Sequence, residues 1–276
     1  MMATCIKRLF VNIVALLFAV PLFAQFDFPV MSGASAGMGG ASVALDDDAT
    51  ALYATTGLAS IDRGCASLAV RQNFIAQGMG YASVAMALPA SHGAWAAAFI
   101  NYGNKDYHEQ QLSLAYGLAI GEAIAMGAAF HYLRSATSDA YYQPLNRLTF
   151  SLALQYRPTD DLIVGFRAYN PVAALAETEQ AVRTPALFNL GASYRMRDEL
   201  MATAEVEKNV YYDYSLRFGL EYTFLYDYAL RVGYSTNPSV YSFGAGIRKD
   251  HFGADLAVQL HQALGLTPQV GLNYRF

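Results

Sequence analysis

Strict alternation is the feature that most narrows what this chain can fold into. In the stretch Gln269-Val270-Gly271-Leu272-Asn273-Tyr274-Arg275-Phe276, Val270, Leu272, Tyr274 and Phe276 alternate with Gly271, Asn273 and Arg275. A strand sends successive side chains to opposite faces, so a period of two gives one apolar face and one small or polar face. The same pattern recurs back to about Gly64. Leu148, Phe150, Leu152, Leu154 and Tyr156 oppose Thr149, Ser151, Ala153, Gln155 and Arg157, and Phe218, Leu220 and Tyr222 oppose Arg217, Gly219 and Glu221. Tyr241, Phe243 and Ala245 oppose Ser242, Gly244 and Gly246, and Leu256, Val258 and Leu260 oppose Asp255, Ala257 and Gln259. A soluble sandwich would turn a Lys-, Glu- and Thr-rich face to water. Here the second face is Gly, Ala and Ser with scattered charges, which suits a crowded interior.

Composition shows where such strands belong. The chain is 54% hydrophobic with a mean hydropathy of +0.21, yet beyond its first residues no apolar run is long enough for a membrane-crossing helix. Only helices and closed barrels cross a bilayer with every backbone group satisfied, which leaves the barrel. The 20 Tyr and 16 Phe, against 14% charged residues, suit a lipid-facing band with aromatic girdles. A net charge of -4 gives no electrostatic case for a nucleic-acid partner. At the N-terminus Lys7 and Arg8 precede an apolar run from Leu9 to Val20, and Pro21-Leu22-Phe23-Ala24 follows. This reads as a secretory signal over residues 1–24, cleaved after Ala24. Cys5 lies upstream of the apolar run, so Cys65 is the single cysteine of the mature chain and no disulfide framework or cysteine metal site is expected.

Turn signals divide residues 64–276 into about fourteen strands, at about fifteen residues per strand and connection, an even number of the kind outer-membrane barrels use. Tight turns are expected at 89–93, 120–123, 158–161, 196–199, 225–227 and 249–251. The intervening links, near Gln77 and Asn104, over 135–144, 171–185 and 210–213, near Asn237 and over 263–266, are more variable. The fold class expected is all-β: a transmembrane antiparallel barrel of about 14 strands with an N-terminal plug in its lumen.

Alternation does not explain residues 25–63, which are assigned to that plug. The stretch carries Gly37, Met38, Gly39 and Gly40, then Asp46, Asp47 and Asp48, then Gly57. The glycines lack dinucleotide spacing and no Lys follows to hold phosphate, so a nucleotide loop is disfavoured. A glycine-rich coil followed by a short helix is expected, with Asp46 to Asp48 capping the helix. The triad lacks the spacing of a calcium loop. On the inward faces lie Arg157, Arg167, Arg195, Glu205, Glu207, Arg217, Glu221, Arg231, Arg248 and Asp255, charges of both signs that suit an ion-pair network holding the plug. His131 and His261 also face inward, but no nucleophile elbow accompanies them, so no enzyme, catalytic residue, metal or cofactor is expected.

The glycine-rich run, the Asp-Asp pair with its alanine-rich turn and the Gly57-Leu58-Ala59 close resemble the N-terminal plug of FadL-like outer-membrane barrels. Met38-Gly39-Gly40-Ala41 and Asp47-Asp48-Ala49 are most similar to the PorV/PorQ branch, as are Arg217-Phe218-Gly219-Leu220-Glu221-Tyr222, Leu230-Arg231-Val232-Gly233-Tyr234 and Ser242-Phe243-Gly244-Ala245-Gly246. Ala54-Thr55-Thr56 stand where that family usually has Asn-Pro-Ala. The resemblance implies a plugged barrel in the bacterial outer membrane, embedded in its lipid and assembled by the barrel-insertion machinery. Gly271, Tyr274 and Phe276 would form the C-terminal insertion signal. Two roles are implied: service to a type IX secretion-like system, with exported proteins or secretion components as partners, and passive transport of long-chain fatty acids or other small hydrophobic ligands, which leave sideways through a kinked wall strand. The plug motif favours the first.

Overall fold

The computed structural model describes residues 28–139, 141, 143–174 and 184–276. The expected secretory signal, residues 1–24, lies outside the described residues. Fourteen strands form one closed sheet. They are β1 (Cys65–Gln72), β2 (Gly80–Ala90), β3 (Gly93–Gly103), β4 (Tyr107–Ile120), β5 (Ile124–Thr137), β6 (Leu145–Thr159) and β7 (Leu162–Tyr169). The second half holds β8 (Leu187–Arg197), β9 (Leu200–Asn209), β10 (Ser215–Phe224), β11 (Tyr228–Ser235), β12 (Val240–Lys249), β13 (Phe252–His261) and β14 (Gly265–Arg275). Consecutive strands pair antiparallel, and β1 closes on β14 with Cys65 opposite Arg275 and Arg71 opposite Gln269. Closure leaves no strand edge unpaired, as a sheet in hydrocarbon requires.

The alternation maps onto this wall directly. Along β6, Leu152 and Leu154 are 49% and 40% exposed while Ser151, Ala153 and Gln155 between them are buried. Phe243, Leu256, Val258, Val270 and Leu272 are likewise exposed, opposite buried Ser242, Asp255, Ala257 and Gln269. So continuous an apolar outer face is stable against lipid rather than water. The short turns fall at one rim, at residues 91–92, 121–123, 160–161, 198–199, 225–227 and 250–251, and the longer connections at the other.

The pairing runs without a register shift through β1 to β5. Among the described ladders, shifts occur between Tyr156 and Thr159 on β6 and between Arg195 and Arg197 on β8, both beside short turns.

Residues ahead of β1 are not simply coil. Gly33–Gly37 forms a short helix, α1, whose N-cap Ser32 accepts a hydrogen bond from the Ser35 amide, and Asp48–Ala54 forms a second, α2. Glycine is a poor helix former, and α1 is too short to stand alone in water. All five of its residues are buried, and it lies against β11 to β14, so packing supplies what propensity lacks. The expectation of coil here is corrected on that ground.

Candidate functional site

The contacts between residues 28–64 and the inward face of the wall define the site. The close approach depends on wall positions without side chains. A Cβ on Gly165 would meet the Val43 carbonyl oxygen at 1.9 Å, and one on Gly233 the Gly39 nitrogen at 2.1 Å. Gly39 itself holds a left-handed φ of 71° with the Phe218 and Tyr234 carbonyls close by, so only glycine fits there.

Polar wall residues satisfy the segment's backbone. Glu205 on β9 accepts from the amides of Ser42 (2.7 Å) and Val43 (2.9 Å). Arg217 on β10 donates to the Gly40 carbonyl at 3.0 Å and pairs with Glu205 and Glu207. Gln259 donates to the Ala36 carbonyl and Ser193 to the Ala44 carbonyl. A buried carboxylate that receives two amides and an arginine has its desolvation compensated. Arg231, fully buried, is held by Glu221 and Asp255, and Asn273 donates to the other oxygen of Asp255.

At the short-turn rim the three aspartates part company. Asp46 pairs with Arg157 at 3.2 Å, Asp47 with Arg248 at 3.0 Å, and Asp48 with Arg275. Asp47 alone is the N-cap of α2: its carboxylate accepts from the Thr50 amide and hydroxyl and from the Ser32 hydroxyl, which ties the start of α2 to the start of α1. Burial works against the Asp47 charge, but Arg248 and Arg231 outweigh it and hold the carboxyl below the usual aspartate value. Gly37 lies against Gly244 and Arg231, Met38 against Gly219, Gly40 beside Arg217 and Gly57 beside Gln155. Arg195 instead lines a chamber at the short-turn rim. Arg275 and Asn189 carry contacts that alternation shows only as membership of the polar face.

Two cavities flank the segment. The outer one, 710 Å³, lies toward the long connections and is lined by Phe28, Tyr81, Arg167, Asn189, Arg217 and Pro238 among others. The inner one, 340 Å³, lies toward the short turns and is dominated by charged residues, including Asp46, Asp47, Glu199, Glu221 and Arg248. Ser35, Gly39 and Gly40 face the outer cavity; Ala34, Met38 and Leu45 face the inner one. One layer of chain separates them.

His131 bridges Ser113 (2.8 Å) and Ser151 (3.0 Å) and packs tilted against Tyr169. Both ring nitrogens are thus satisfied by hydroxyls, the pattern of a polar filler, and among the described residues no carboxylate bonds to the ring. His261 accepts the amides of Ala263 and Leu264 and so stabilises a turn. Phe276 donates its amide to Gly64 and stacks on Tyr274, while Gly271 lies in β14 opposite Asp255 and Ala69.

No protein-family model and no curated protein matches the sequence. Solved structures do match in fold. A FadL homologue of Pseudomonas aeruginosa aligns over 92% of this chain and 100% of its own with a TM-score of 0.67 at 13% identity. The toluene transporter TodX of P. putida aligns over 90% and 98% with a TM-score of 0.66 at 12% identity. The toluene transporter TbuX of Ralstonia pickettii aligns over 92% and 100% with a TM-score of 0.61 at 13% identity. The chain thus shares the fold of these barrels, its own wall being a closed sheet of fourteen strands. The likeness is one of fold, and the PorV/PorQ branch is not among these matches.

Proposed function

We propose that this chain is a non-enzymatic bacterial outer-membrane barrel in which residues 25–63 plug the lumen enclosed by residues 64–276, and that it admits small hydrophobic molecules passively. Residues 1–24 act as the removed secretory signal, and Gly271, Tyr274 and Phe276 as the recognition segment for the insertion machinery. The observation that carries the reading is a closed wall around a 710 Å³ cavity floored by the segment. That volume is in the range of small-molecule sites. Likeness in fold to toluene transporters supports transport over secretion service.

Vesicles containing the purified barrel should take up labelled toluene faster than barrel-free vesicles. Planar bilayers should show little conductance for the intact chain and more once residues 26–62 are removed. Large steady channels from the intact chain would defeat the plug, and absence of uptake would defeat the transport reading.

A further inference from the structure

We propose that the outer cavity binds compact aromatic carboxylates, with the Arg167 guanidinium holding the acid. This narrows the substrate class of the lumen route proposed above and rests on it.

Arg167 is 8% exposed on β7 and lines the cavity. Among the described residues no carboxylate lies within ion-pair distance of it and no hydrogen bond reaches its guanidinium; its buried Nε has no partner. Its one close partner is the Tyr169 ring, with Cζ 5.6 Å from the centroid. The wall acids that would neutralise it are committed elsewhere. Glu207 is taken by Arg217 and by the Asn189 amide (2.8 Å). Glu205 is taken by Arg217, by Asn189 and by the amides of Ser42 and Val43. A buried cation without a counter-charge is costly, and an arriving carboxylate relieves that cost with a bidentate, charge-assisted contact. A neutral hydrocarbon relieves none of it.

The rest of the cavity sets the shape of the ligand. Its apolar surface combines the rings of Phe28, Pro29, Tyr81, Tyr212 and Pro238 with Val30, Leu187 and Val240. Phe28 meets Tyr81 edge-on at 6.4 Å, and Tyr81 packs tilted against Tyr102 at 4.5 Å, so the ring wall is held in place. The floor is Ser35, Gly39, Gly40 and Ser42, and beyond it lies the charged inner chamber. A long alkyl tail would have to reach a chamber where charged residues outnumber Met38, Leu45 and Met201, whereas a single ring is accommodated at the ring wall.

The test is calorimetric titration of the intact barrel in detergent with benzoate, decanoate and toluene. Benzoate should bind saturably, Arg167→Gln should weaken it about tenfold or more, and Arg167→Lys should retain part of the binding. Heat-modifiable mobility confirms that each variant is folded. If Arg167→Gln does not fold, the unaltered chain still decides: benzoate binding should fall as the ligand's own carboxyl is protonated, and a flat pH profile overturns the proposal. Binding unchanged in Arg167→Gln, or toluene binding as tightly as benzoate, also overturns it. Tighter binding of decanoate overturns the compact shape. Toluene uptake without benzoate binding removes this inference and leaves the transport reading; benzoate binding without uptake of either compound does the reverse.

Discussion

Glu205 accepts from two amides of the segment while serving Arg217 and Asn189 at once. Glu205→Ala leaves the Ser42 and Val43 amides unpaired in a buried setting, while Arg217 and Asn189 keep Glu207, a loss on the order of 3 kcal/mol. A lowered urea midpoint for the folded barrel in detergent checks this; an unchanged midpoint would show that water replaces the carboxylate. Asp47 carries the acid dependence. Its folded-state value is held below the ordinary 3.8, so its contribution is complete above that value and is lost as pH falls through the lowered one. Protease access to residues 28–62 should therefore stay flat from neutral pH to about 4 and rise only below it, and Asp47→Asn should raise it at all pH values. Neither pairing was legible in the sequence. Alternation places Glu205, Arg248 and Arg275 on the polar face, but their partners lie far away along the chain, and no local pattern encodes which charge meets which.

At the scale of elements, the strands were the most legible part of the chain, because a two-sided wall imposes its period on every residue. The tight turns fell where Gly, Pro and Asp clusters interrupted the alternation. The helices were less so. α2 announces itself through Asp47 at its cap and the alanines that follow, whereas α1 exists because wall glycines let it approach. Gly233→Leu tests that dependence. Its side chain would enter the space of Gly39 and Met38, so the segment should be displaced while the wall still forms. Raised conductance with retained heat-modifiable mobility is the expected result; a silent bilayer would mean that the segment accommodates the bulk.

For the whole molecule, closure of β1 on β14 makes the last strand part of the first ladder, and Phe276 adds its amide to Gly64. Phe276→Asp should reduce the amount of barrel in outer-membrane fractions well beyond its direct cost, which near the interface is about 0 to 1 kcal/mol. Unchanged levels would remove Phe276 from any role in insertion. The barrel class was legible from alternation together with the missing helical spans, whereas the transport reading rests on cavities that form only once distant strands enclose a space.

The three arginines that meet Asp46, Asp47 and Asp48 come from β6, β12 and β14 and clasp the middle of the segment, where α2 begins. The chain consequently has two separable stabilities: that of a hydrogen-bonded cylinder, and that of its occupant, which beyond its link into β1 is held largely by side chains and close contacts. Passage would then occur through partial unfolding of the occupant, at a frequency set by the weaker of the two. Amide exchange should register this as two populations, with Ser42 and Val43 exchanging long before the strands around them.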